Sequence, residues 1–264
     1  MSSRQNAVVK RFREIAREGR IGDDVLLDGA HLVGEALAAG IALEVVAFAA
    51  DAAHGRLAPL AADCTAGGAR VITAPDSVLT LMSPVMQPSG VIAIARLHPA
   101  TLESAIAAGS PALVLLLDRI QDPGNVGAII RSAEAFNATA VLTGPGTADP
   151  FGWKALRGSM GSAFRLPVAT AVSLDAAVTA ARDVGLRIFA TVARGGTPLD
   201  RASLAGPAMI LLGGEGPGLS DEMIGRADER LTIAMRVPVE SLNVSVAAAL
   251  IVYEASRQRT HVVI

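Results

Sequence analysis

The chain has 264 residues, 51% of them hydrophobic, so it is too apolar to be disordered and long enough for one large domain or two modest ones. Its 23 Lys plus Arg against 25 Asp plus Glu leave a formal net charge of −2, which excludes a whole-protein polycation; any nucleic-acid contact must come from a local patch. The single cysteine, Cys64, excludes an internal disulfide and fits a reducing compartment, and no apolar run reaches the ~20 residues of a membrane helix.

Residues 1–20 are basic and polar with no apolar stretch, so no signal peptide is expected and the expected location is the cytoplasm. Arg4, Lys10, Arg11, Arg13, Arg17 and Arg20 stand against only Glu14 and Glu18, at helical spacing with Val9, Phe12 and Ile15 between them. Such a helix could neutralise RNA phosphates. Taken alone, the segment reads better as a solvated helix face. Patterning predicts a helix over about 5–18, a strand at 25–28, a helix at 31–39 and a strand at 43–49. A helix near 57–66 and strands near 70–73 and 90–95 complete a first domain, residues 1–97. The segment 98–111 holds two prolines and a Gly-Ser pair around an Ala-rich helical turn, and is the expected linker. From 112 to 264 the pattern becomes strand–helix–strand, with strands at 113–118, 138–143, 164–168, 187–192, 209–213 and 231–235. Helices are expected at 126–136 and from about 243 to 258. Continuous apolar strands alternating with helices imply an α/β domain with a mostly parallel sheet covered on both faces.

Ligands of such sheets bind in the loops beyond the carboxyl ends of the strands. Three of those loops are unusual. In 118–127, Pro123 and Gly124 turn the chain, Asn125 can cap the next helix, and Arg131 lies almost two turns into it. Stability alone explains much of this, with Asn125 as a plain cap and Arg131 paired with Glu134. In 211–220, four glycines surround Glu215 and let the backbone approach a ligand closely. That loop is not a P-loop, and the chain lacks a GxGxxG after a first strand, which disfavours a dinucleotide oxidoreductase. In 233–245, Ser241 is a plausible N-cap for the last helix, whereas Asn243 in its first turn is disfavoured by propensity and points to a contact.

Together, DPGNVGAIIRSAEAF at 122–136, LLGGEGPGLS at 211–220 and ESLNVSVAAALIVYEA at 240–255 resemble the three signature motifs of the SpoU/TrmH family of RNA ribose 2′-O-methyltransferases, in order and spacing. More loosely, Ser3–Asn6 and Leu27–Val33 resemble the family's N-terminal RNA-binding domain. The resemblance implies a C-terminal domain with a trefoil knot, a smaller α/β RNA-binding domain before it, a homodimer through the C-terminal domain, and S-adenosyl-L-methionine as methyl donor. It implies a catalytic set of Asn125, Arg131, Glu215, Ser241 and Asn243, and a cofactor shell of Thr191, Gly213, Glu215, Gly218, Ile233, Met235 and Leu242. The implied partner is RNA, with 23S ribosomal RNA favoured over tRNA. Three departures stand out: Ala234 where proline is usual, Asn137 where glycine usually closes a helix, and Asp28 where Glu is common.

Candidate RNA contacts are Arg4, Lys10, Arg11 and Arg13 in the first helix. Lys154 and Arg157 are further candidates, in an expected loop where Trp153 could stack on a base. Rival readings are a non-catalytic RNA-binding protein, a tRNA methyltransferase and a base methyltransferase of the same fold. No metal site is expected, because His31, His54, His98 and His261 are scattered with no ligand spacing to Cys64 or to a carboxylate pair.

Overall fold

The computed structural model describes residues 6–260. Its contacts divide the chain into two units: residues up to His98 together with Phe151–Arg165, and Pro99–Pro150 together with the chain from Leu166 onward.

The first unit opens with α1 (Ala7–Glu18), capped by Asn6, whose side chain accepts from the Val8 amide, and closed at Gly19 with φ 85°. Val9, Phe12 and Ile15, three residues apart, are fully buried along one stripe, as the spacing predicts. There follow β1 (Arg20–Ile21), β2 (Asp24–Asp28), α2 (Ala30–Ala38), β3 (Leu43–Ala49), α3 (Ala50–His54), α4 (Ala58–Ala66), β4 (Arg70–Ala74), α5 (Asp76–Met82) and β5 (Val91–Arg96). The sheet order is β1-β2-β5-β3-β4, antiparallel except for β3–β4. Val9, Phe12 and Ile15 meet Val78, Leu79 and Met82 of α5 over Leu26, Ile92 and Ile94, which makes this unit's core.

The expected loop around Trp153 is instead a helix, Trp153–Ser159, followed by a 3-10 turn at Ser162–Phe164. It belongs to the first unit, with Ala155, Leu156 and Ser159 buried and Trp153 packed against that unit's core. The burial spacing is helical, and Gly152 and Gly161 punctuate the two ends, a pattern that favours a helix over a loop. The 3-10 turn also shortens the strand expected at 164–168 to Val168–Ala169.

The second unit comprises α6 (Leu102–Ile106), β6 (Leu113–Asp118), α7 (Pro123–Ala135) and β7 (Ala140–Thr143); the helix Trp153–Ser159 is α8. It continues with β8 (Val168–Ala169), α9 (Leu174–Asp183), β9 (Arg187–Thr191), β10 (Thr197–Pro198), β11 (Ala208–Gly213), α10 (Asp221–Gly225), β12 (Glu229–Thr232) and α11 (Val244–Thr260). Seven strands run in the order β10-β12-β9-β11-β6-β7-β8, and every pairing is parallel. All of β6 is buried, which is why it reads as an unbroken apolar run rather than an alternation.

One helix start and two caps differ from the expectation. α7 begins a turn earlier, at Pro123, because Asp122 is its cap: the Asp122 carboxylate accepts from the Asn125 amide at 2.9 Å. Proline at the first helical position has no N–H to leave unsatisfied. Asn125 is therefore inside the first turn, with its side chain free for other work. At α11 the roles of the two polar residues exchange. The Asn243 carbonyl oxygen accepts from the Ser245 amide at 2.8 Å, so Asn243, not Ser241, caps the helix. Among the described residues no helix is long and apolar enough to cross a membrane.

Candidate functional site

Because every strand of the second unit points the same way, its carboxyl ends and their loops gather at one edge. A cavity of about 560 Å³ opens there. Thr191, Gly213, Glu215, Gly218, Ile233, Met235 and Leu242 all line it. They come from four separate places: the end of β9, the loop after β11, the loop after β12, and the approach to α11. Ala247 and Ile251 supply an apolar wall from α11. The sequence reading missed these two, although Asn243, Ala247 and Ile251 are four residues apart and share one helix face.

The glycines of the second motif have a steric cause. Gly214 pairs with Gly218 in an isolated bridge, folding the loop back on itself. A Cβ on Gly213 would overlap the backbone of Gly218 and Leu219, and one on Gly214 would overlap the Arg119 carbonyl. Any side chain at either position pushes the loop out of the cavity rim.

Three side chains from the three motifs meet at this rim. The Asn125 amide nitrogen donates to Glu215 Oε1 at 2.6 Å, and the Asn243 amide nitrogen donates to Asn125 Oδ1 at 3.1 Å. The Gln121 amide reaches Glu215 Oε2 at 3.4 Å. Asn243 Oδ1 is held by the Ser245 hydroxyl at 2.6 Å as well as by the helix amides, so its orientation is fixed. Register explains the convergence: Gly213 of β11 lies beside Asp118 of β6, so the loop carrying Glu215 and the loop carrying Asn125 leave the sheet side by side. α7 and α11 pack on each other, which brings Asn243 to Asn125 across 118 positions of sequence. The polar atoms of Asn125 are thus tied on both sides. A charge-assisted bond to a carboxylate is stronger than a neutral one.

Other expected site residues fall elsewhere. Ser241 lines the cavity without capping α11. Arg131 is exposed on α7 and outside the cavity lining. Six residues of helix turn it about 240° from Asn125, so the two leave different faces. Arg4 lies outside the described residues. Lys10 and Arg13 are exposed on α1. Arg11 is committed, with its guanidinium on Glu44 and on Asp24 at 2.6 Å, and its bond to Glu44 holds that carboxylate below the usual range. Lys154 and Arg157 are exposed on α8. Trp153 is half-buried, packing on the core beneath, and the Lys154 ammonium lies 5.4 Å from its ring centre. No cluster of three metal-ligating side chains occurs among the described residues.

Comparison with known proteins matches this layout. A family model described as the SpoU rRNA methylase family matches residues 112–253, and one described as RNA 2′-O ribose methyltransferase substrate binding matches 26–100. A Mycobacterium sp. (strain KMS) protein named as an uncharacterized tRNA/rRNA methyltransferase is 42% identical over 163 residues, 61% of this chain and 52% of the relative. The chain thus spans about half the length of the curated relatives it matches. Among solved structures, an AdoMet-bound rRNA methyltransferase of Sinorhizobium meliloti superposes with a TM-score of 0.85 at 27% identity, covering 97% of both chains. The AdoMet complex of the SpoU methyltransferase AviRb of Streptomyces viridochromogenes gives 0.82 at 26%, over 97% of this chain and 99% of that one. The first model covers more than half of the chain, including the parallel sheet and every loop of the cavity, so this chain belongs to the SpoU rRNA methylase family.

Proposed function

We propose that the chain is an S-adenosyl-L-methionine-dependent RNA methyltransferase acting on a ribose 2′-hydroxyl, with 23S ribosomal RNA as substrate. The observation that carries this reading is the Asn125–Glu215–Asn243 cluster, in which all three motifs meet through hydrogen bonds at the rim of one cavity. The neighbours named as rRNA methyltransferases favour rRNA, and the substrate-binding match at 26–100 favours RNA as the partner. An rRNA substrate in turn implies a cytoplasmic enzyme.

The cavity fits the cofactor. Its volume is within the ~300–1,000 Å³ of small-molecule sites. Apolar walls from Leu212, Leu219, Ile233, Leu242 and Ile251 suit an adenine, while the glycine backbone and Glu215 supply polar groups at one side. When bound, the cofactor supplies an electrophilic methyl group on a sulfonium. The protein's own share is positioning, which gives much of the rate in such transfers. Asn125, held by Glu215 and Asn243, presents a rigid polar edge to the incoming ribose. Arg131 is assigned from its place in the first motif, since it leaves α7 by a different face from Asn125 and lies outside the cavity. It orients the 2′-oxygen and stabilises its developing negative charge, and because a guanidinium keeps its proton, the hydroxyl proton passes to solvent water as the methyl–sulfonium bond breaks. The three exposed apolar residues Val246, Leu250 and Tyr253 repeat along α11 at spacings of four and three, and we assign this stripe to the interface of a homodimer.

Calorimetry with S-adenosyl-L-methionine, then methylation of 23S transcript and of tRNA with digestion to nucleosides, tests the reading. The expected product is a 2′-O-methylnucleoside in 23S RNA. A base-methylated nucleoside overturns the ribose assignment, methylation of tRNA alone overturns the rRNA assignment, and cofactor binding without methylation of either favours a binding protein.

A further inference from the structure

Arg119 occupies a backbone conformation that its side chain disfavours. Its φ is 55°, in the left-handed region where residues other than glycine are uncommon and strained. It follows β6 directly, three residues before the cap of α7. The backbone there is fixed from both sides: the Arg119 carbonyl lies under Gly214, and Ile120 is fully buried and accepts from the Ala148 amide. The side chain is half exposed and runs across Gly146, with one guanidinium nitrogen 3.0 Å from the buried carboxylate of Asp118. Among the described residues the guanidinium makes no other hydrogen bond, so on this half-exposed side chain most of its five donors are left for a ligand or water.

Strained residues held in place by their surroundings concentrate at functional sites. The surroundings here are also acidic, with Asp118, Asp122 and Glu215 on the same edge. RNA brought over this edge would meet like charge without a cation on it.

From this we infer that Arg119 binds a phosphodiester of the RNA strand beside the target nucleotide. Asp118 holds the guanidinium in place, and the outward donors form a fork on the phosphate oxygens. The inference rests on the RNA reading above, and on a residue outside the three motifs.

The test uses the full chain and a 20-nucleotide oligouridylate, because a phosphate contact is independent of sequence. Affinity is followed by anisotropy from 50 to 200 mM salt. Arg119→Gly is expected to weaken binding several-fold and to flatten the log–log salt slope by about 0.7, the value for one phosphate on a single strand. Since glycine relieves the strain but strands Asp118, the Asp118→Asn, Arg119→Gly double variant is measured as well; it should fold and show the same slope change. Arg119→Lys should keep the slope and lose part of the affinity with the fork. Cofactor affinity should not move in any variant. A slope unchanged in both glycine variants, with a lowered melting temperature that Asp118→Asn restores, would show that Arg119 only neutralises Asp118 and would overturn the inference. So would failure of the parent protein to bind the oligonucleotide. Loss of methyl transfer in the parent with the slope change intact would instead overturn the enzyme reading and leave Arg119 as an RNA contact.

Discussion

The two units put similar numbers of strands to different uses. In the first, the five strands are antiparallel apart from one pairing, so neighbouring strand ends point in opposite directions and their loops are shared between two edges. In the second, seven parallel strands deliver all their carboxyl-end loops to one edge, and three loops far apart in sequence close on a single cavity. Strand direction alone accounts for much of this. Convergence of loops is a property of parallel sheets, and so is the need for buried strands with long crossovers. In the first unit Arg11 is held in ion pairs with Asp24 and Glu44, while Lys10 and Arg13 stand exposed on the surface.

The largest effect is expected at the tightest point of the second unit. Gly214→Ala should abolish cofactor binding by calorimetry, because the added Cβ collides with the Arg119 carbonyl and the loop cannot keep its turn. Retained affinity would mean that this loop does not shape the cofactor site. Next in size is Arg131→Ala. Single turnover with RNA and cofactor saturating should slow by ~100-fold or more, the cost of removing one preorganised charge-stabilising donor, while cofactor affinity stays unchanged. A near-normal rate would remove Arg131 from the chemistry.

The first unit should respond more weakly. Lys10→Ala with Arg13→Ala should lower the salt slope of RNA binding by about one to two units without touching cofactor affinity. Arg11→Ala should instead lower the melting temperature and leave the slope alone, since its guanidinium is already committed to Glu44 and Asp24. Equal slope changes in both variants would dissolve that distinction.

The smallest effects come from two carboxylates shifted in opposite senses. Bonds from Arg257 and Gln258 hold Glu254 of α11 down at about 2, from an ordinary 4.5. A depressed carboxylate stabilises the fold above its unfolded value. That contribution should be lost as pH falls from 4.5 through about 2, and Glu254→Gln should remove it at neutral pH. Burial raises Asp28 in the first unit, and the Ser83 hydroxyl only partly offsets this. Its ionised form therefore costs stability at neutral pH, so Asp28→Asn should hold or raise the melting temperature at pH 7. Melting curves of the two variants at pH 7 and pH 3 read both signs directly.

Strongly periodic elements and the identity of the motif residues were legible in the amino-acid order alone. Val9, Phe12 and Ile15 announced α1, and the apolar run at Leu113–Asp118 announced a strand buried on both faces, because burial on one stripe or on two faces leaves a local pattern. The short α5 and the two-residue β10 were missed, and so was α9, although its buried stripe of Ala177, Val178 and Ala181 was there to read. Tertiary structure decided what had no local signal. It made α8 part of the first unit, through contacts between residues more than a hundred positions apart. It moved the caps to Asp122 and Asn243, leaving Asn125 free to join Glu215. It also forced Arg119 into a positive φ beneath Gly214. Each of these depends on which chain segments lie side by side at the sheet edge, and strand register, not local propensity, sets that arrangement.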